Sequence, residues 1–121
     1  MVFQTPGLLP WLNVRQNVAV GLNFFRQPRL SRRQRQQRIS QAIEAVGLSD
    51  HQHKYPGGLS GGMAQRVALA RCLARSPGVL LLDEPFSALD PVSRHEMQQL
   101  IGTIARQQQL SVLIVTHDID E

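Results

Sequence analysis

Ile39, Ala42, Ile43 and Val46 recur at intervals of three and four residues, the spacing that places apolar side chains on one face of an α-helix. Ser31 followed by Gln34 is a capping-box pair at the start of this pattern, and Gly47 is the residue type that ends helices. The pattern predicts an amphipathic helix over about 32 to 46, whose apolar stripe needs neighbours to bury it. Upstream, Thr5-Pro-Gly7 and Leu9-Pro-Trp11 punctuate a loop, and Val14, Val18 and Leu22 mark a second, short helix. Downstream, the run Leu59-Ser-Gly-Gly-Met-Ala-Gln-Arg66 opens a helix over about 61 to 75, ended by Ser76-Pro77-Gly78. Val79 to Asp83 is a continuous apolar run, expected to be a strand buried on both faces as in a parallel sheet. Asp90-Pro91 supplies an N-cap and a proline at the first helical position, for a helix running to about Gln109. Ser111 to Thr116 reads as a second buried strand. Strand, helix, strand in this order predicts a right-handed crossover, which puts Asp83 and His117 at the same edge of the sheet, where ligands bind in such folds.

Composition narrows the class. The 121 residues suffice for one domain with a modest core, and 42% are apolar with few aromatics. No stretch approaches the length of a membrane-spanning helix, and the first residues have neither a basic nor an apolar leader segment, so the expected compartment is the cytoplasm. A single cysteine, Cys72, permits no internal disulfide and no cysteine-rich zinc site; flanked by Leu69, Ala70, Leu73 and Ala74, it is expected to fill space in the core. His51 and His53 have no further ligand at metal spacing beyond Asp50, which favours a solvated loop. The net charge of +4 is localised in Arg26, Arg29, Arg32, Arg33, Arg35 and Arg38. Glutamines fill the gaps, which favours a solvated helix face over contact with a membrane surface, and either over nucleic acid.

Two features carry chemistry. Ser60-Gly61-Gly62 is a glycine-rich turn opening a helix, where unpaired N–H groups and the helix dipole favour an anion. Asp83 and Glu84 end an apolar strand with adjacent carboxylates, suited to a hydrated magnesium ion and a general base. Phosphate on one side with metal and base on the other points to nucleotide hydrolysis.

At these residues the chain resembles the ATP-binding subunits of ABC transporters. Phe3-Gln4 is similar to the Q-loop, Leu59 to Arg66 to the family signature, Val79 to Pro85 to the Walker B strand, Ser87-Ala-Leu-Asp90 to the D-loop, and Thr116-His117-Asp118 to the switch-histidine segment. Their order matches, with intervals of 56, 23 and 34 residues between Gln4, Ser60, Asp83 and His117. The implied fold is α/β, a partial P-loop NTPase fold: a Q-loop segment at 1–10, a helical subdomain with the signature at 11–75, and a part of the catalytic core with a parallel sheet at 76–121. A P-loop needs G-x-x-x-x-G-K-[ST], and the one lysine, Lys54, precedes Tyr-Pro-Gly-Gly. A fragment or truncated relative is therefore expected, inactive and aggregation-prone alone, with no nucleotide binding tighter than about millimolar.

The resemblance implies the roles. Glu84 would be the general base, Asp83 and Gln4 would hold Mg2+, Gln4 would also swing with the membrane partner, and His117 would bond the γ-phosphate of ATP. Ser60, Gly61 and Gly62 would meet the γ-phosphate held by a second ATP-binding subunit, and Asp90 would lie across that dimer interface while capping its helix. Met63 in place of the commoner glutamine, and Gly7-Leu-Leu-Pro-Trp-Leu-Asn-Val14 with Asn17-Val-Ala, resemble the nitrate, sulfonate and taurine importer branch. There Trp11 and Leu12 would either touch the permease or pack in the subdomain core. The implied partners are a membrane permease, a second ATP-binding subunit and, indirectly, a solute-binding protein, with no nucleic acid and with a peripheral place on the cytoplasmic face of the membrane. Alternatives are an incompetent remnant, a partner donating only its signature, and a DNA-associated ABC ATPase. The short Gln4 to Ser60 interval disfavours the last of these.

Overall fold

The computed structural model describes residues 7–22, 30–75, 78–83, 86 and 89–115. The first helix, α1 (Val14–Val20), is capped by Asn13 in a capping box with Gln16, and its first amides are taken up by a neighbouring loop: Val14 N–H donates to the Lys54 carbonyl (2.8 Å) and Arg15 N–H to that of Gln52 (2.9 Å). The second, α2 (Arg32–Ala45), has the expected Ser31 and Gln34 capping box. It ends in a Schellman motif: Gly47 at φ 74° lets its own N–H reach the Glu44 carbonyl and the Leu48 N–H reach that of Ile43. Arg66 from the next helix donates to the Val46 carbonyl at 3.2 Å, so another orphan of this helix end is satisfied from outside. That next helix, α3 (Gly61–Leu73), is followed by β1 (Val79–Asp83), α4 (Pro91–Gln108) and β2 (Ser111–Val115).

One apolar cluster joins the helices to the sheet. Val14 and Val18 of α1, Ile39 and Ile43 of α2, Val67, Leu69 and Leu73 of α3, Leu80 and Leu82 of β1, and Met97, Ile101 and Ile104 of α4 are all buried in it. Cys72 is buried among them as a free thiol, the space-filling role expected of it. The strands pair in parallel with Asp83 opposite Val115, so both end at the same edge, as strand, helix, strand predicts.

The expectation that both strands are buried on both faces is corrected. In β1 only Leu80 and Leu82 point into the core, and alternate residues such as Val79 do not; in β2, Leu113 is 57% exposed, and Ile114 and Val115 are exposed as well. Among the described residues the helices fill one face of a two-stranded sheet, and β2 has a single hydrogen-bonded neighbour. A continuous apolar run does not tell how many layers cover it.

The α4 terminus is strained. Gln109 holds φ 53°, the left-handed region that suits glycine, so that its own N–H and that of Leu110 close on the Ala105 carbonyl. Gln109→Gly is expected to raise stability by about 1 kcal/mol, read as a higher urea midpoint at unchanged slope.

Candidate functional site

Ser60 is in extended conformation and caps α3, its Oγ accepting the Met63 N–H at 3.1 Å. Ala64 N–H bonds the Ser60 carbonyl, which leaves the Gly61 and Gly62 N–H groups without acceptors inside the helix. Neither glycine has a positive φ. Among the described residues a Cβ on Gly61 would meet nothing within 4 Å, and one on Gly62 would meet the Ser93 side chain at 3.4 Å. Glycines here leave the first turn of α3 with more backbone freedom to lose on folding than alanine would. Packing against the described residues does not call for them. Exposed at Ser60 and Gly61 and half-buried at Gly62, the turn holds two donors unpaired within the helix at the positive end of its dipole, an arrangement suited to an anion.

The start of α4 stands beside this turn. Asp90 caps it, accepting the Ser93 N–H at 2.7 Å, with Pro91 in the first turn. That Ser93 backbone bond holds the Asp90 carboxyl below the ordinary carboxylate range. A lowered value means that the cap contributes fully above the unfolded pKa, about 4, and is lost as pH falls through the folded one. The parent's advantage in thermal midpoint over Asp90→Ala is therefore expected to be constant above about pH 5 and to shrink below about pH 4; Asp90→Asn, whose cap does not titrate, should show no such loss.

Asp83 is the last residue of β1, half-buried at the sheet edge. Among the described residues no group of three or more His, Cys, Asp or Glu side chains is clustered to hold a metal. His51 is half-buried with its Nδ1 unbonded and His53 is exposed. Gln4, Glu84 and His117 lie outside the described residues, as do Phe3, Ser87 and Thr116. The structure thus brings Ser60, Gly61, Gly62 and Asp90 into one neighbourhood and sets Asp83 at the strand end.

Trp11 is 69% exposed and Leu12 half-buried, so a place for Trp11 in the subdomain core is corrected. The loop is held by Asn17, whose polar side chain supplies the hydrogen bonds there while Trp11 stays outside. The arginine run is not one solvated face either: Arg32 and Arg33 are exposed, but Arg35 is half-buried and donates to the Ala19 carbonyl at the end of α1. Arg26 and Arg29 lie outside the described residues. Sequence reading missed the roles of three polar residues: Ser93 beside the glycine turn, the buried Asn17, and its half-buried partner Arg71. A polar side chain at 17 between Val14 and Val18, on an apolar helical stripe, was the available clue.

No helix among the described residues is long and apolar enough to cross a membrane. A sequence profile described as ABC transporter matches residues 1–87. The nitrate import ATP-binding protein NrtD of Synechococcus elongatus is 47% identical over all 121 residues, which span 44% of that protein. The aliphatic sulfonates import ATP-binding protein SsuB of Mycobacterium avium is 50% identical, again over the whole chain and 47% of the relative. The chain thus spans less than half the length of these curated relatives. Among solved structures, cbiO1 of Clostridium perfringens, part of the ABC transporter complex cbiONQ, superposes with a TM-score of 0.87 at 33% identity, covering 98% of this chain and 47% of that one. The dimeric ATP-binding cassette MJ0796 bound to ADP and Pi gives 0.75 at 34% identity, covering 98% and 51%. A match over most of the chain in sequence, and over nearly all of it in fold, agrees with the glycine turn and the strand-end carboxylate: the chain belongs to the ABC transporter family.

Proposed function

We propose that the chain acts within the ATP-hydrolysing subunit of an importer for a small anion of the nitrate or sulfonate kind, driving a separate membrane permease from its cytoplasmic face. The observation that carries this reading is the Ser60-Gly61-Gly62 turn, whose glycines are not called for by packing against the described residues and whose N–H groups have no acceptor inside their own helix. Such a turn fits a phosphate presented by another molecule, and a relative in fold is a dimer holding ADP and Pi. The relatives' names supply the solute class.

In this reading the Gly61 and Gly62 N–H groups and the Ser60 hydroxyl bond the γ-phosphate of ATP on the opposing subunit. They offset the charge that spreads over its oxygens as the bond to the leaving phosphate breaks. Glu84 takes a proton from the attacking water, whose oxygen bonds the γ-phosphorus while ADP leaves with the bridging oxygen. His117 holds that water and the γ-phosphate, and Asp90 fixes the start of α4 against the dimer partner. Asp83 and Gln4 would hold Mg2+, largely through water, and the ion would supply neutralising charge to the phosphate oxygens.

The test is a chimera in which this chain replaces its counterpart in the nitrate-import relative. ATP-dependent nitrate uptake by cells carrying the chimera with the relative's own permease is expected. Uptake no higher than without any ATP-binding subunit, from a folded and expressed chimera, would reject the reading.

A further inference from the structure

Asn17 is 0% exposed, a polar side chain sealed into an apolar stripe, and it is fully used. Its Oδ1 accepts the Leu9 N–H at 2.8 Å and an Arg71 Nη2 donor at 3.2 Å. Its Nδ2 donates to the carbonyls of Leu9, Leu12 and Asn13 at 3.2, 3.0 and 3.0 Å. One amide thus clasps the loop 7–13 from both sides. Arg71, on α3, completes the clasp: Nε donates to the Asn17 carbonyl at 3.2 Å and Nη2 to that of Gly7 at 3.4 Å. The Asn17 carbonyl is one of the last four of α1, so the guanidinium also caps that helix. Partial burial pulls the Arg71 guanidinium below its ordinary value, yet an arginine stays charged, and its charge strengthens each of these bonds. Close packing locks the same joint: a Cβ on Gly21 would meet the Arg71 carbonyl oxygen at 2.5 Å.

The two ends of this joint are unlike. The loop it holds presents Trp11, the one tryptophan of the chain, to solvent. The helix it holds begins at Ser60-Gly61-Gly62, the turn assigned above to phosphate. We propose that Asn17 and Arg71 are positioning residues: a polar clasp, centred on the buried Asn17, that makes loop 7–13 and α3 one rigid unit, so that engagement of the glycine turn by phosphate is felt at Trp11. The proposal rests on the phosphate reading of that turn. A satisfied hydrogen-bond network around a buried amide rigidifies the segments it joins, so the loop moves with the helix or the clasp breaks.

The chimera carrying the full chain is labelled with fluorotryptophan, and the Trp11 resonance is identified by its loss in Trp11→Phe. Adding Mg-ATP is expected to shift or split that resonance at the nucleotide concentration that drives dimerisation. In Arg71→Lys, which keeps the charge but loses the forked donors, and in Arg71→Met, dimerisation is expected at a midpoint within about threefold of the parent's. The Trp11 response should be lost in Arg71→Met and at least halved in Arg71→Lys. An unchanged response in a dimerising Arg71→Met protein overturns the clasp. Should Arg71→Met fail to fold, hydrogen exchange on the parent decides: the clasp requires the Leu9 amide to gain protection together with the first amides of α3 when ATP is added, and an unmoved Leu9 overturns it. A parent that does not dimerise with ATP overturns the phosphate reading instead, and the clasp's role with it.

Discussion

Glu84→Gln in the chimera is expected to lower ATP turnover by about two to four orders of magnitude, the size of effect that follows from removing a positioned general base. Glutamine keeps the shape and the hydrogen-bonding reach of the carboxylate but cannot take the proton from the attacking water. Binding does not need that proton transfer. Affinity for ATP is therefore expected to stay within a few-fold of the parent, and the ATP-bound dimer, unable to hydrolyse its way apart, should accumulate on gel filtration. Turnover within a few-fold of the parent would remove Glu84 from the role of base and leave its neighbour Asp83 as the carboxylate to be tested.

Gly62→Asp is expected to abolish ATP-driven dimerisation while monomer affinity for ATP changes little. The structure says how much of this comes from inside the chain. A Cβ at 62 would meet the Ser93 side chain at 3.4 Å, a contact that a hydroxymethyl group relieves by rotating. Aspartate is also a favourable residue in the first turn of a helix. The substitution should therefore leave α3 intact and place a negative charge beside its first N–H groups, where in the proposed reading a phosphate comes within hydrogen-bond distance. Dimerisation at the parental ATP concentration would show that no anion uses this turn. A monomer that loses its affinity would show that the turn serves its own subunit's nucleotide.

The sequence disclosed those parts of the fold whose cause is local. The Ser31 and Gln34 capping box, the Gly47 stop and the Asp90-Pro91 start are each fixed by a few adjacent residues, and the structure has all three. The parallel pairing of 79–83 with 111–115 followed from the order of elements alone. Burial of β2 could not be read in this way, since Leu113 and Ile114 are as apolar as a core strand and their exposure depends on what packs over the sheet. The clasp was hidden for a related reason. Asn17 and Arg71 are separated by 54 residues, and only tertiary packing reveals that each satisfies the other. In the site, the glycines were legible as an anion turn, but the neighbourhood of Gly62 and Ser93, which joins the starts of α3 and α4, is a contact between elements with no mark in either segment.

The central claim is that the Ser60-Gly61-Gly62 turn completes the active site of a different subunit, and mixing two inactive proteins tests it most directly. A Gly62→Asp subunit keeps its base, and a Glu84→Gln subunit keeps its turn. In a mixed dimer, one site then joins an intact Glu84 to an intact turn from across the interface, and the other site combines both defects. Gly62→Asp subunits do not pair with one another on ATP, so pairing is not random; ATPase activity is expected to rise well above the sum of the two components, towards the quarter or so of the parental rate that unbiased pairing of independent sites would give. A mixture no more active than the sum of its two components would contradict the account, because a turn that served its own subunit would leave every site in the mixture with one defect.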